Sequence, residues 1–226
     1  MPDLAAVLFD LGGTLDAAGV PWKERVFRLY RSEGVVVDPE EFDRVFYRAD
    51  DAIVGAVPAA VSFRETVQRL VDGVSAGLKI DDERLSTRVA AQFVDRAMTC
   101  ARANARVLAD LAGRYRLGIV SNFYGNLATV CEDLGLRSHL DVMVDSTDLG
   151  WTKPDPRLFR HALGALGVEA SRAAFVGDSR PRDMGGARAT GMPHIWLAGD
   201  VVPLPSGCCP GDPVIAEIAD LRGLLL

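Results

Sequence analysis

Histidine, cysteine and lysine are all scarce in this chain. Its 226 residues include 3 histidines and 4 cysteines, and lysine occurs only at Lys23, Lys79 and Lys153. Cys100, Cys131, Cys208 and Cys209 form no Cys-x-x-Cys pair, and no histidine stands at zinc-finger spacing. Disulfide geometry resists pairing of the adjacent Cys208 and Cys209, so all four are expected as reduced thiols. His139, His161 and His194 are expected to be structural. There is no basic excess: the formal net charge is −6, which gives no electrostatic footprint for nucleic acid or an anionic membrane surface. No apolar run approaches the ~20 residues of a membrane span, and no basic leader precedes the first apolar stretch. These absences lead to the expectation of a cytoplasmic monomer or homodimer with no nucleic-acid or membrane partner.

A hydrophobic fraction of 49% suits a folded core domain with a smaller insert. Short apolar runs alternate with helical patterns. Leu4 to Phe9, Arg116 to Val120, Val142 to Val144, Ala173 to Val176 and His194 to Leu197 read as strands, with Val214-Ile215 as a sixth. Their uniformity suits strands buried on both faces of a parallel sheet. Helical spacing is seen at Ala105 to Arg114, Leu127 to Leu136, Pro156 to Leu166 and Asp183 to Ala189. The alternation predicts an open α/β sheet, in which ligands collect at the carboxyl ends of the strands.

One block breaks the pattern. From Pro21 to Met98 only helices are predicted: Pro21 to Ser32, Pro39 to Ile53, Phe63 to Leu78 and Asp82 to Met98, with Asp38 and Ser62 as N-caps. This reads as an all-helical insert leaving near Asp16–Gly19 and returning near Ala101–Ala105. Its boundaries are expected at 17–103, with the core at 1–16 and 104–226. Its aromatics, Trp22, Phe27, Tyr30, Phe42, Phe46 and Tyr47, are expected to form its core. The Pro/Gly-rich stretch 201–213 reads as a surface loop.

Four segments carry chemistry. The first is Asp10-Leu11-Gly12-Gly13-Thr14, directly after a strand. A carboxylate there can attack phosphorus and split one hard step into two, and the glycine N–H groups can cradle an anion. The second is Ser121-Asn122, whose hydroxyl and N–H suit a phosphate oxygen. The third is Lys153, followed by Pro154-Asp155-Pro156, a clamp for a phosphoryl oxygen and a neutraliser of carboxylates. The fourth is Gly177-Asp178-Ser179 with Asp183. Together with Asp10 these acids make a set of hard oxygen ligands suited to Mg²⁺.

Taken in this order, the four segments resemble the haloacid dehalogenase superfamily, in particular its phosphatase-like members with a helical cap. The resemblance covers essentially the whole chain. It implies a Rossmann-like core under a mobile cap and hydrolysis of a small phosphorylated metabolite through an aspartyl-phosphate. It casts Asp10 as nucleophile and magnesium ligand, Ser121 as phosphoryl holder helped by Asn122, and Lys153 as the group that orients Asp10 and steadies the transition-state charge, with Gly13, Thr14 and Asn122 as cofactor-binding positions. Asp178, Asp183 and the carbonyl of residue 12 complete the magnesium set.

The departure is Gly12, where the family pattern has a second aspartate. The carbonyl survives, but general acid–base help of about 10²–10⁴-fold is lost. A gap is expected beside Gly12, and Gly12→Asp is expected to speed alkyl phosphate hydrolysis. Asp16, Tyr124, Glu24 and Asp51 are candidate substitutes. Three alternatives stay open: a catalytically weak binding protein, a metal-free dehalogenase, and a phosphonate hydrolase using Lys23 for a Schiff base.

Overall fold

Six parallel strands form one sheet in the order β3-β2-β1-β4-β5-β6. They are β1 (Ala6–Phe9), β2 (Arg116–Ser121), β3 (Val142–Asp145), β4 (Ala173–Gly177), β5 (His194–Leu197) and β6 (Val214–Ile215). The computed structural model describes residues 3–199 and 211–226. Cys208, Cys209 and most of the stretch 201–213 lie outside the described residues. All strand expectations hold, including β6.

Alternation along the strands explains why both sheet faces are covered. Val7 and Phe9 enter one apolar cluster with Leu108 and Leu111. Ala6 and Leu8 enter the other, with Phe159, Ala162 and Leu163. Successive side chains point to opposite faces, so a run with no polar residue is the signature of a two-sided burial. Helices α5 (Leu127–Asp133), α6 (Ser146–Leu149), α7 (Pro156–Leu166), α8 (Gly185–Thr190) and α9 (Leu221–Leu225) fill the connections.

Between β1 and β2 lie four helices, α1 (Trp22–Ser32), α2 (Pro39–Ile53), α3 (Phe63–Gly77) and α4 (Glu83–Ala112). Asp38 Oδ1 accepts from the Glu40 and Glu41 N–H groups at 3.0 and 3.1 Å. Ser62 Oγ accepts from Glu65 N–H at 3.2 Å. Both predicted N-caps are therefore present, each satisfying helix-end donors that would otherwise be orphaned.

One expectation is corrected. The predicted helices Asp82–Met98 and Ala105–Arg114 are a single helix of 30 residues, about 45 Å long. No glycine or proline interrupts Glu83 to Ala112, so nothing in the backbone ends the helix at 101–105. Its first part packs on α1 and α3, its last part on β2 and α9. The expected return point of the insert thus lies inside α4. The predicted helix at Asp183–Ala189 is likewise displaced: a wide turn, Arg180–Met184, precedes α8.

Bonds from the segment between α2 and α3 fix the helical block to the sheet domain. Asn126 Nδ2 donates to Val61 O at 2.9 Å, Thr129 Oγ1 to Ala59 O at 2.7 Å, and Phe63 N–H to Asp133 Oδ2 at 2.7 Å. Cys100 and Cys131 are free thiols, as expected. His194 is buried in β5, with Nε2 3.0 Å from Asp212. No described helix is long and apolar enough to cross a membrane.

Candidate active site

Strand order 3-2-1-4 puts the carboxyl ends of β1, β2 and β4 side by side, where the direction of winding reverses. Asp10 follows β1, Ser121 ends β2 and Asp178 follows β4. Residues distant in sequence meet here because the register aligns Phe9 with both Ile119 and Val176.

The centre is a buried cluster of unlike charges. Lys153 Nζ lies 2.7 Å from Asp10 Oδ1 and 2.7 Å from Asp183 Oδ1. Ser121 Oγ donates to the same Asp10 oxygen at 2.9 Å. Asp10, Asp178 and Asp183 each offer an oxygen within 4.8 Å of the others. Burial raises the Asp178 pKa, and the Asp10 and Asp183 charges raise it further. Burial also raises that of Asp183, against the pull of Lys153. Burial opposes the Lys153 ammonium, but Asp10 and Asp183 outweigh it, so its pKa stands raised. Three acids against one base leave an excess of negative charge in a site largely shut off from water.

The neighbouring residues hold this cluster in shape. Thr14 Oγ1 donates to Asp178 Oδ1 at 3.1 Å, and Trp196 Nε1 donates to Asp178 O at 2.9 Å. Asp183 Oδ2 accepts from Ser179 N–H at 2.9 Å. The amide of Asn122 clamps the backbone of Lys153: Oδ1 accepts from Lys153 N–H at 2.7 Å and Nδ2 donates to Lys153 O at 3.3 Å. Asp145, at the end of β3, accepts from the N–H groups of Thr147, Gly125 and Leu127 and so fixes the loop after Ser121. Sequence reasoning missed Trp196 and Asp145 as supports. Asp145 had a usable signal, an acid ending a strand before a serine.

The turn after Asp10 differs from expectation in two respects. Gly13 has φ +91°, and a Cβ there would stand 2.6 Å from Asp178 Oδ2, so only glycine fits. Its N–H, however, is not open to a bound anion: it already donates to Asp16 Oδ1 at 2.7 Å. The space beside Gly12 is partly taken up, although Gly12 borders the cavity described below. A Cβ at position 12 would lie 3.1 Å from Trp22 Nε1. The indole of α1 crowds that position, packed against Phe93 (centroids 5.0 Å apart) and Phe123 (5.9 Å). Trp22 is thus part of the junction between the helices and the sheet domain rather than of the helical core alone.

Of the proposed substitutes for the missing acid, Asp16 is fully committed. Its Oδ2 accepts from Trp22 Nε1 at 2.7 Å and from Arg25 at 2.8 Å. Glu24 is held by Arg28 at 2.7 Å, and Asp51 is exposed. Tyr124 is buried, with its hydroxyl donating to Asp50 Oδ1 at 2.6 Å. Asp50 was missed by sequence reasoning. The signal was its position four residues past the buried Phe46, on the same helix face.

A cavity of about 400 Å³ opens above the cluster, a volume suited to a small molecule. Asp10, Gly12, Ser121, Asn122, Lys153 and Asp183 line its floor, and α2 contributes Phe46, Tyr47 and Asp50. Lys23 also borders it, but its ammonium pairs with Asp43. Arg180 and Arg182 stand at the exposed rim.

Comparison with known proteins agrees with this geometry. The chain is similar to the bovine (Bos taurus) haloacid dehalogenase-like hydrolase domain-containing protein 3, 46% identical over 84 residues, 37% of this chain and 34% of that protein. It is similar to a phosphoserine phosphatase of Thermus thermophilus, 39% identical over 95 residues, 41% and 35% of the two chains. The chain therefore spans little more than a third of the length of these relatives. A crystallised dehalogenase shares the fold, with a TM-score of 0.67 at 21% identity over 100% of this chain and 98% of that one. Residues 4–191 match the family described as haloacid dehalogenase-like hydrolase, and the chain belongs to that family of hydrolases.

Proposed function

We propose that this hydrolase is a Mg²⁺-dependent phosphatase that cleaves a small phosphorylated metabolite through an aspartyl-phosphate on Asp10. The observation that carries this reading is the convergence of Asp10, Asp178 and Asp183 within 4.8 Å around a single lysine. The paired acids after β4 favour a metal-dependent phosphatase over a metal-free dehalogenase. The dehalogenase likeness is one of fold.

The donor set fits magnesium. Its ligands are hard carboxylate oxygens, and their surplus charge calls for a further cation. Asp10, Asp178 and Asp183 would hold the ion, with the Gly12 carbonyl as a further donor. When bound, Mg²⁺ would supply charge neutralisation at the phosphoryl oxygens.

This chain's own residues do the rest. Ser121 and Lys153 both engage Asp10 Oδ1, which fixes the carboxylate plane and leaves Oδ2 unbonded among the described residues. That oxygen attacks phosphorus. The Lys153 ammonium sits where charge accumulates on the phosphoryl group, and being held in place before reaction it costs no reorganisation. Asn122 acts through Lys153, by holding its backbone. The helices α1 to α3 and the first part of α4 serve as the cap. Their side chains close the cavity and exclude water that would compete for the phosphoryl group.

Asp178→Ala is expected to weaken Mg²⁺ binding by more than the ~10–100-fold that outer-shell changes cost. Isothermal titration with MgCl₂ checks this; unchanged affinity would remove Asp178 from the ligand set. The effect expected for Gly12→Asp is revised by Trp22. A side chain at position 12 meets the indole, so overpacking of about 1–3 kcal/mol is expected, with no gain in alkyl phosphate turnover. A faster variant with an unchanged Tm would show that Trp22 yields.

A further inference from the structure

We infer that the carboxyl group of Asp50, presented by α2 on the wall of the Asp10 cavity and held by the Tyr124 hydroxyl, is the proton donor and acceptor that Gly12 does not supply. This rests on the phosphatase reading of the same site.

Three observations support it. Asp50 and Tyr124 border the same cavity as Asp10 and Lys153, whose volume of about 400 Å³ suits one small phosphate ester. The acid nearer in sequence, Asp16, has both oxygens bonded and cannot move a proton without breaking the turn. Trp22 Nε1 would stand 3.1 Å from a Cβ on residue 12, so an acid there would be crowded.

The surroundings suit the task. Burial pushes the Asp50 pKa up, the direction that favours a carboxyl able to hold a proton. Tyr124, from the loop after β2, lowers it through its hydrogen bond. Asp51, on the same helix, raises it, and Arg182, after β4, lowers it. Lys23 and Tyr47 also border the cavity.

The chemistry balances. Asp10 Oδ2 bonds to phosphorus as the bond from phosphorus to the ester oxygen breaks. That oxygen takes the Asp50 proton and leaves as an alcohol. Water then attacks phosphorus, the bond to Asp10 breaks with its electron pair returning to the carboxylate, and the water proton passes to Asp50. Inorganic phosphate leaves with both side chains restored.

The test is Asp50→Asn, assayed with Mg²⁺ on an alkyl phosphate and on an aryl phosphate, whose leaving group needs no proton. Alkyl turnover is expected to fall about 10²–10⁴-fold. Phosphoryl transfer from the aryl ester is expected to persist while release of phosphate slows, so a phosphoryl adduct accumulates in the intact mass after acid quench. Tyr124→Phe breaks the same bond but keeps the acid. It is expected to retain alkyl turnover within about tenfold and to move the high-pH limb of the rate upward, since the lost bond had lowered the Asp50 pKa. Loss of the first-turnover release of the aryl alcohol in Asp50→Asn, no adduct, or a Tyr124→Phe variant that copies Asp50→Asn would overturn the inference and leave the phosphatase reading intact. Wild-type protein with no Mg²⁺-dependent turnover of either ester would instead sink the phosphatase reading, and this inference with it.

Discussion

Replacing Asp10 by asparagine is expected to abolish Mg²⁺-dependent phosphate release, by about 10⁴-fold or more, while the protein still folds. Asp10 is the one carboxylate that both the Ser121 hydroxyl and the Lys153 ammonium grip, and both grip the same oxygen. An amide keeps the volume and can keep an acceptor toward Lys153, so the packing survives. It cannot attack phosphorus, so the covalent route closes. Asparagine also removes one negative charge from a cluster in which three acids face one base, so the metal-free variant is expected to be no less stable than the parent. Thermal unfolding and a turnover assay on the same preparation separate the two effects. Substantial retained turnover would mean that water, not Asp10, attacks the substrate.

Lys153→Met carries the second large effect, on stability and activity together. Lys153 is 5% exposed, and its ammonium touches Asp10 and Asp183 at 2.7 Å each. Removing one partner of a buried ion pair leaves uncompensated charge, a loss of about 3–5 kcal/mol. For a chain of this size that is on the order of 10 °C in Tm. The loss depends on pH. The folded pKa values of Asp178 and Asp183 are raised above those of an unfolded chain. The folded protein therefore holds protons that the unfolded chain releases. The stability this contributes is complete below the unfolded carboxylate value, near ~3.9, and disappears as pH rises through the folded values. Metal-free wild-type protein should thus lose Tm between acid and neutral pH, the variant should lose more, and Mg²⁺ should restore more at neutral than at acid pH. Unfolding curves with and without chelator across that window check all three. A metal-free Tm that climbs steadily through it would contradict the charge account.

The comparison of sequence and structure turns on range. The strands were legible because burial on both faces leaves runs such as Ala6 to Phe9 with no polar residue. Asp10, Ser121 and Asp178 were legible because a parallel sheet sends strand ends to one rim, and Lys153 and Asp183 through the motifs around them. The continuity of α4 was not. Around Met98 to Ala105 the residues are small or polar, the apolar rhythm fades, and only the absence of glycine and proline reveals that the helix runs on. What stands beside Gly12 was not legible either. Trp22 reaches it from the insert, through a packing choice involving Phe93 and Phe123 that no local pattern encodes. Asp50 was not legible for a similar reason: its partner Tyr124 is 74 residues away, and only the docking of α2 over the carboxyl ends of the strands brings them together.

The most direct measurement is the mass of the protein quenched in acid during turnover of an aryl phosphate, followed by fragmentation to locate any adduct. The account predicts one phosphoryl group, carried on Asp10, formed only when Mg²⁺ is present and absent from Asp10→Asn. Phosphate release with no adduct at any time, or an adduct on another residue, would contradict it.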